Sequence, residues 1–160
     1  ADAKRQGQAQ FESILEMVQE LRKHEDHLNA ERTERAQSAW EQAEKRIHEN
    51  ALSVEVRSGW ISAANWGRAV PRADQVAPAE YRILLCTGGP ACQIVGELDE
   101  HCEPETARME VQDWFQPWTE YRPEVDFERD QMGNCTGNGE VAPTAEEILL
   151  AYARQFYFGE

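Results

Sequence analysis

The sequence lacks the short motifs that identify familiar active sites. It contains no G-x-S-x-G sequence, which exposes a nucleophilic serine, and no lysine–serine or lysine–threonine pair follows Gly88 and Gly89 to complete a phosphate-binding loop. Cys86 precedes these glycines, but no base is identifiable for it. Asp113 beside Trp114 and Glu97 near His101 are acid–base candidates only through proximity in sequence. We therefore predict that the protein is not an enzyme and uses no cofactor.

Long hydrophobic runs are also missing. A membrane helix needs about 20 consecutive apolar residues, and the first apolar cluster, at positions 11–18, is interrupted by Glu12, Ser13 and Glu16. The sequence therefore predicts neither a membrane span nor a secretory signal, and we expect a cytoplasmic protein. With 160 residues, the chain is long enough for one core, or for a core with a helical appendage.

Cysteine is scarce for a disulfide-stabilised protein. The four cysteines, Cys86, Cys92, Cys102 and Cys135, are far less dense than in small secreted disulfide-rich domains, which favours free thiols in a reducing compartment. A zinc site formed by Cys86, Cys92, His101 and Cys102 is the alternative. Its spacing lacks the paired C-x2-C segments that are typical of structural zinc sites, so we predict no metal.

Basic residues are rare in the second part of the chain. Residues 97–160 contain 16 acidic and only four basic side chains, whereas residues 1–96 contain 14 and 12, so the two parts carry net charges of −12 and −2. A field of this sign repels nucleic acid and anionic membranes and attracts basic protein surfaces. We predict that the protein binds no nucleic acid directly and no membrane.

This charge is concentrated in residues 97–130, which contain twelve acidic residues and three arginines and therefore carry a net charge of −9. The same run contains five aromatic residues, whereas a disordered acidic tail would contain few. The pattern indicates a folded acidic surface, and we predict that it binds a partner. The predicted partner-binding residues are Glu97, Asp99, Glu100, Glu103, Glu105, Glu110, Asp113, Glu120, Glu124, Asp126, Glu128 and Asp130.

Residues 1–50 are predicted to form an antiparallel helical hairpin. Apolar residues follow helical spacing in a helix at 3–25, and a second helix runs over 30–49 with Asn29 as its N-cap. The hairpin is either a structural arm that packs on the rest of the protein or a dimerisation or partner-binding element anchored by Trp40. In the case of dimerisation the protein forms a homodimer through its N-terminal helices.

Residues 51–160 are predicted to form an α+β domain with an antiparallel sheet of about four strands and a C-terminal helix. Val54 and Val56 alternate with charged residues, which is typical of a half-buried strand. Strands at 81–86 and 92–99 form a hairpin around the TGGPA turn, and residues 105–114 follow as a third hairpin strand. Thr144 and Glu147 form the T-x-x-E capping box of the last helix, which buries Ile148, Leu149, Tyr152 and Phe156, with Tyr157 as a further candidate.

The acidic run supports a hypothesis of nucleic-acid mimicry. Residues two apart on a strand lie about 6.6 Å apart on one face, which is close to the roughly 6.8 Å between phosphates two steps apart along a DNA strand. Carboxylates at that spacing can occupy a groove rich in lysine and arginine, with the aromatic residues as anchors. The alternative is a solvated acidic face that serves only solubility.

Several segments resemble a family of small uncharacterised proteins encoded by bacteriophages, prophages and other mobile elements. They are LSVEVRSGW, EYRILLCTGGPA, VGELDE, VQDWFQPWTEY and LLAYARQFYFGE, within residues 52–122 and 148–160. The resemblance transfers no catalytic residue and implies a protein of the host bacterial cytoplasm.

Small acidic phage proteins often counter host defence, so the resemblance favours an anti-CRISPR or anti-restriction protein. Such a protein would use its DNA-mimicking surface to bind the basic surface of a host nucleic-acid-binding protein or complex. The alternative function is a non-enzymatic structural or regulatory phage module that assembles through the N-terminal hairpin.

Overall fold

A computed structural model describes residues 2–60, 77–125 and 143–158 of the protein. It confirms the α+β class, with two N-terminal helices, an antiparallel sheet and a C-terminal helix. Within the described residues the sheet has five strands, one more than the prediction. In chain order the elements are α1 (Asp2–Ala30), α2 (Glu34–Asn50), β1 (Ser53–Ser58), β2 (Pro78–Cys86), β3 (Ala91–Glu97), β4 (Arg108–Gln112), β5 (Thr119–Tyr121) and α3 (Ala145–Ala153).

The helices α1 and α2 are joined by a shorter and later turn than the sequence predicts. The polar residues 24–29 continue α1 to Ala30, because such residues suit an exposed helix as well as a turn. Thr33 is the N-cap of α2, and its hydroxyl accepts a hydrogen bond from the Ala36 N–H at 3.1 Å. The prediction that Asn29 caps the second helix is therefore wrong, since Asn29 lies inside α1.

The apolar stripes of α1 and α2 pack within the chain. Phe11, Ile14 and Ile47 are fully buried, and Trp40 packs partly buried against the same core cluster, to which β2, β3, β4 and α3 also contribute. This packing agrees with the structural-arm interpretation of residues 1–50, since the stripe residues already have partners within the chain. A homodimer through the N-terminal helices stays a prediction.

Each strand of the sheet pairs antiparallel with the next strand in sequence, in the order β1-β2-β3-β4-β5. Ile94 lies opposite Ile83 on one side and Met109 on the other, and all three are buried. Because side chains alternate along a strand, the register divides the sheet into two faces. The face that packs in the core, here called the helix face, includes Tyr81, Ile83, Cys92, Ile94, Met109, Val111 and Tyr121. The opposite face, here called the open face, includes Arg82, Leu84, Gln93, Val95, Arg108, Glu110, Gln112 and Glu120.

A glycine lets α1 approach the sheet closely. A Cβ atom on Gly7 would overlap the Val111 side chain and the Tyr121 ring on the helix face. The N-terminal part of α1 is thereby brought against β4 and β5, and the Tyr121 hydroxyl donates a hydrogen bond to Gln8 Oε1 at 2.8 Å.

β1 differs from the half-buried strand that its alternation predicts. Val54 and Val56 lie opposite Ile83 and Tyr81 on the helix face, yet they are 38% and 47% exposed. Alternation indicates which side chains share a face, whereas burial also depends on what covers that face. Since β1 is at the edge of the sheet, the described residues cover its valines only in part, and β1 is more exposed than the prediction of a half-buried strand implies.

The predicted capping box opens α3. The Thr144 hydroxyl accepts a hydrogen bond from the Glu147 N–H at 3.2 Å, and the Glu147 carboxylate accepts one from the Thr144 N–H at 3.1 Å. The predicted inward residues Ile148, Leu149 and Tyr152 are buried, and Phe156 packs partly buried against the core beyond the end of the helix. Tyr157 is 75% exposed, so the suggestion that it faces inward is wrong, because α3 ends at Ala153 and helical spacing no longer applies.

Among the described residues, no helix has both the length and the apolar content that crossing a bilayer requires.

Candidate protein-interaction surface

The predicted partner-binding residues lie in several separate parts of the fold. Glu97 ends β3, and the loop that follows, residues 98–107, carries Asp99, Glu100, Glu103 and Glu105. Glu110 and Glu120 lie on the open face of the sheet, Asp113 follows β4 and Glu124 follows β5. The predicted residues Asp126, Glu128 and Asp130 lie outside the described residues. The structure therefore brings five of the twelve carboxylates together in one segment, residues 97–107, here called the acidic loop.

The base of the acidic loop is fixed by contacts to β2 and β3. The Thr106 hydroxyl accepts a hydrogen bond from the Glu97 N–H at 2.9 Å, and the Thr106 carbonyl accepts one from the buried Tyr81 hydroxyl at 2.7 Å. Gly96 makes this close approach possible, because a Cβ atom there would overlap the Thr106 carbonyl. Burial raises the pKa of Tyr81, so this hydroxyl remains a donor at neutral pH.

The tip of the acidic loop is closed by Asp99. One of its carboxylate oxygens accepts hydrogen bonds from the backbone N–H groups of His101, at 2.8 Å, and Glu103, at 3.0 Å. These bonds, that from Glu103 first, hold the pKa of the Asp99 carboxyl below its usual value, because they favour the charged form. Asp99 therefore stabilises the turn at the loop tip, and its carboxylate has less hydrogen-bonding capacity left to bind a partner.

Two further contacts hold the part of the loop that leads from its tip to β4. Leu98 and Pro104 form an isolated antiparallel bridge, and Arg154, which follows α3, donates a hydrogen bond to the Pro104 carbonyl at 3.3 Å. Cys102 has a φ of 59°, a left-handed conformation that is uncommon for residues with a side chain. The contacts around it hold the backbone in this turn.

The remaining carboxylates of the acidic loop point into solvent. Glu97, Glu100, Glu103 and Glu105 are exposed. Within the described residues, their only contact of ion-pair type lies between Glu100 and His101 Nε2 at 3.4 Å, where both side chains are more than three-quarters exposed and the pair is ionic only when the imidazole is protonated. A backbone with many internal hydrogen bonds thus presents four solvated negative charges.

Glu110 and Glu120 are adjacent on the open face, but each carboxylate has a partner there. Glu110 accepts a hydrogen bond from Gln93 Nε2 at 2.8 Å and lies 3.6 Å from Arg108 Nε. Glu120 lies 3.7 Å from Arg122 Nε. The open face is therefore a mixture of both charges, and its local field is weaker than that of the acidic loop.

Asp113 and Glu124 connect the sheet to α1. The Asp113 carboxylate accepts a hydrogen bond from the Ala3 N–H in the first turn of α1, at 3.1 Å, where the helix dipole favours negative charge. The Glu124 backbone exchanges hydrogen bonds with the Gln8 side chain, at 2.9 and 3.0 Å, while its own side chain is exposed. Asp113 thus acts as a helix cap, and sequence alone does not reveal this role because its partner is 110 positions away.

The strand spacing that motivates mimicry is limited to two short pairs among the described acidic residues. Glu97 and Asp99 flank Leu98, and Glu103 and Glu105 flank Pro104, on the two sides of the isolated antiparallel bridge between Leu98 and Pro104. Glu110 and Glu120 lie on two other strands. No described strand carries three acidic residues in alternate positions, so any imitation of phosphates is confined to the compact acidic loop.

Two exposed aromatic residues of the run at 97–130, Trp114 and Phe115, lie away from the acidic loop. Trp114 and Phe115 are 65% and 99% exposed and follow β4, whereas the acidic loop precedes it, so about 17 Å of strand separates them. A Cβ atom on Gly89 would overlap the Trp114 indole, which places this ring over the β2–β3 turn. These two aromatic residues do not extend the acidic loop into one anchored surface.

The cysteines are separated by the sheet. Cys86 and Cys92 lie opposite each other in β2 and β3, whereas Cys102 and His101 lie in the acidic loop beyond the other end of β3. Burial raises the pKa of Cys92 to about 12, and Cys86, Cys92 and Cys102 are free thiols. No group of three metal-ligating side chains occurs within residues 2–60, 77–125 and 143–158. Cys135 lies outside these residues.

Comparisons with protein-family models, curated proteins and solved structures found no match to this chain.

Proposed function

We propose that the protein is a non-catalytic inhibitor whose acidic loop binds the basic surface of a host nucleic-acid-binding protein. The observation that carries this proposal is the combination of four exposed carboxylates, Glu97, Glu100, Glu103 and Glu105, with a loop backbone held by hydrogen bonds. The resemblance to phage-encoded proteins supports an anti-CRISPR or anti-restriction role in the host cytoplasm.

The rigid backbone favours binding because little conformational freedom remains to be lost. Ordering a flexible segment reduces affinity, whereas a loop held by Asp99, Thr106 and Tyr81 already has its bound-state backbone. Its four solvated charges attract a cationic partner over several ångströms and accelerate encounter. Such an interaction weakens as salt is added.

The proposed form of mimicry is local. An array of carboxylates along a strand would imitate an extended DNA backbone, but the acidic loop offers one compact group of charges. We therefore expect it to occupy the position of a few adjacent phosphates in a lysine- and arginine-rich groove. The open face, where Glu110 and Glu120 are paired, contributes less to this contact.

A comparison of two matched variants tests the proposal. The loop variant replaces Glu97, Glu100, Glu103 and Glu105 with glutamine. The control variant loses the same four charges from the helical hairpin, through Glu25→Gln, Asp26→Asn, Glu31→Gln and Glu34→Gln, at positions that are all exposed. Each protein is used as bait in lysate of a bacterial host, and the captured proteins are eluted with a short DNA duplex or with salt.

We expect the wild type and the control variant to capture the same nucleic-acid-binding protein, and DNA to release it. The loop variant should capture roughly tenfold less, because four charge contacts of about 0.4 kcal/mol each sum to about 1.6 kcal/mol, and a tenfold change corresponds to about 1.4 kcal/mol. Equal loss in both variants would show that only net charge matters. Capture of no nucleic-acid-binding protein by the wild type would contradict the proposed function.

A further inference from the structure

The outer edge of β1 carries backbone groups without partners in the sheet. Within the described residues the sheet ends at β1, and an exposed edge strand is a template for pairing with another strand. Val54 and Val56 are exposed on the helix face of this edge. Glu55 and Arg57 alternate with them on the open face, where they pair with Arg82 and Glu80 of β2.

The ladder determines which β1 backbone groups point outward. The Leu98 N–H donates to the Ala79 carbonyl at 2.8 Å, so the backbone groups of odd-numbered β2 residues point to β3 and those of even-numbered residues point to β1. Since Arg82 lies opposite Glu55, the odd-numbered β1 residues point inward. The N–H and C=O groups of Val54 and Val56 therefore face away from the sheet, whereas Ser58 lies beyond a shift in the β1–β2 register between Arg57 and Ser58.

We propose that this edge binds a second copy of the same chain, with the two β1 strands antiparallel about a two-fold axis at Val56. In this register Val56 lies opposite the second copy's Val56, and Val54 lies opposite its Ser58. Val54 and Val56 are outward-facing residues, so the two strands can exchange hydrogen bonds centred on the Val56 pair. Glu55 then lies opposite the second copy's Arg57.

The charges select this register over its neighbours. Moving the axis by one residue places either Glu55 opposite Glu55 or Arg57 opposite Arg57, and like charges directly opposite each other destabilise a strand pair. With the axis at Val56, opposite charges face each other twice. The sequence Glu55-Val56-Arg57 is thus self-complementary in an antiparallel pair.

The neighbouring strand extends the same pattern. Arg82 of β2 lies opposite Glu55 and Glu80 lies opposite Arg57. A row across the two sheets would read Arg82, Glu55, the second copy's Arg57 and the second copy's Glu80, so that charges alternate over four strands. On the helix face, the two Val56 side chains cover each other between the two Tyr81 residues. A second copy of this chain therefore complements both the charged row on the open face and the exposed valines on the helix face.

The proposal is tested by measuring molar mass with light scattering after size exclusion, over a range of protein concentrations. We expect the wild type to reach twice the 18.3 kDa of one chain at high concentration. Val56→Pro removes an outward-facing N–H without touching the β1–β2 ladder, so this variant should remain at 18.3 kDa. A wild type that stays monomeric at every concentration, or a Val56→Pro variant that still dimerises, would overturn the proposal.

Charge reversal gives a test that does not depend on proline. Glu55→Arg alone places two arginines opposite each other, and Arg57→Glu alone places two glutamates opposite each other, so each variant should dimerise at least tenfold more weakly than the wild type. An equimolar mixture restores opposite charges and should form a mixed dimer. Failure of the mixture to dimerise, while circular dichroism shows both variants folded, would contradict the proposed register.

Discussion

Gly96 shows how one missing side chain positions the acidic loop. A Cβ atom at this position would overlap both the Thr106 carbonyl and the Tyr81 ring, and backbone atoms cannot move aside as the end of a flexible side chain can. We expect Gly96→Ala to lower the free energy of unfolding by about 1–3 kcal/mol through overpacking. Urea denaturation would measure this change. Gly59→Ala is the matched control, because the nearest atom to its Cβ is Ala79 Cβ at an ordinary 3.7 Å, and it should have a much smaller effect.

Asp99 gives a second prediction, which concerns pH. Its carboxylate accepts N–H groups of Glu103 and His101, so its folded-state pKa should lie below the ordinary value of 3.8. A lowered folded-state pKa means that this carboxylate stabilises the fold above the unfolded-state pKa, and that the stabilisation is lost as pH falls through the folded-state pKa.

Carbon-detected NMR titration of the Asp99 carboxyl would measure this pKa in the folded protein. A pKa of 3.8 or higher for Asp99 would show that the turn at the loop tip is not formed in solution.

The elements of the fold differ in how far local sequence determines them. The capping box of α3 involves only Thr144 and Glu147, and it was correctly predicted because all its atoms lie within one turn. The β2–β3 hairpin was predicted for the same reason. The location of the α1–α2 turn was mistaken, because several polar residues compete as caps and only Thr33 supplies the hydrogen bond.

The α3 cap provides a prediction at this scale. Thr144→Ala removes the hydroxyl that accepts the Glu147 N–H, so we expect a loss of about 1 kcal/mol in unfolding free energy. Thr144→Ser retains the hydroxyl and should stay close to the wild type. Thermal denaturation of the three proteins would compare them, and equal stability of Thr144→Ala and the wild type would show that solvent replaces the cap.

At the scale of the whole molecule, long-range contacts decide what the acidic residues do. The sequence shows that the negative charge is concentrated within residues 97–130, but it does not distinguish Asp113, which caps α1, from Glu103, which is exposed. It also could not place β1 at the edge of the sheet, since strand order depends on all five strands together. Local periodicity therefore predicted the elements, whereas the roles of individual side chains required the assembled fold.

The order of the elements also affects synthesis on the ribosome. α1 and α2 emerge before the sheet, and the β3 and β4 strands against which α1 packs come more than forty residues after α2. At a synthesis rate of about 5–20 residues per second, several seconds pass before the strands that cover the apolar side of α1 have been made. During this interval α1 is an amphipathic helix whose apolar side is covered only in part, by α2. A chaperone that recognises such helices would have time to bind it.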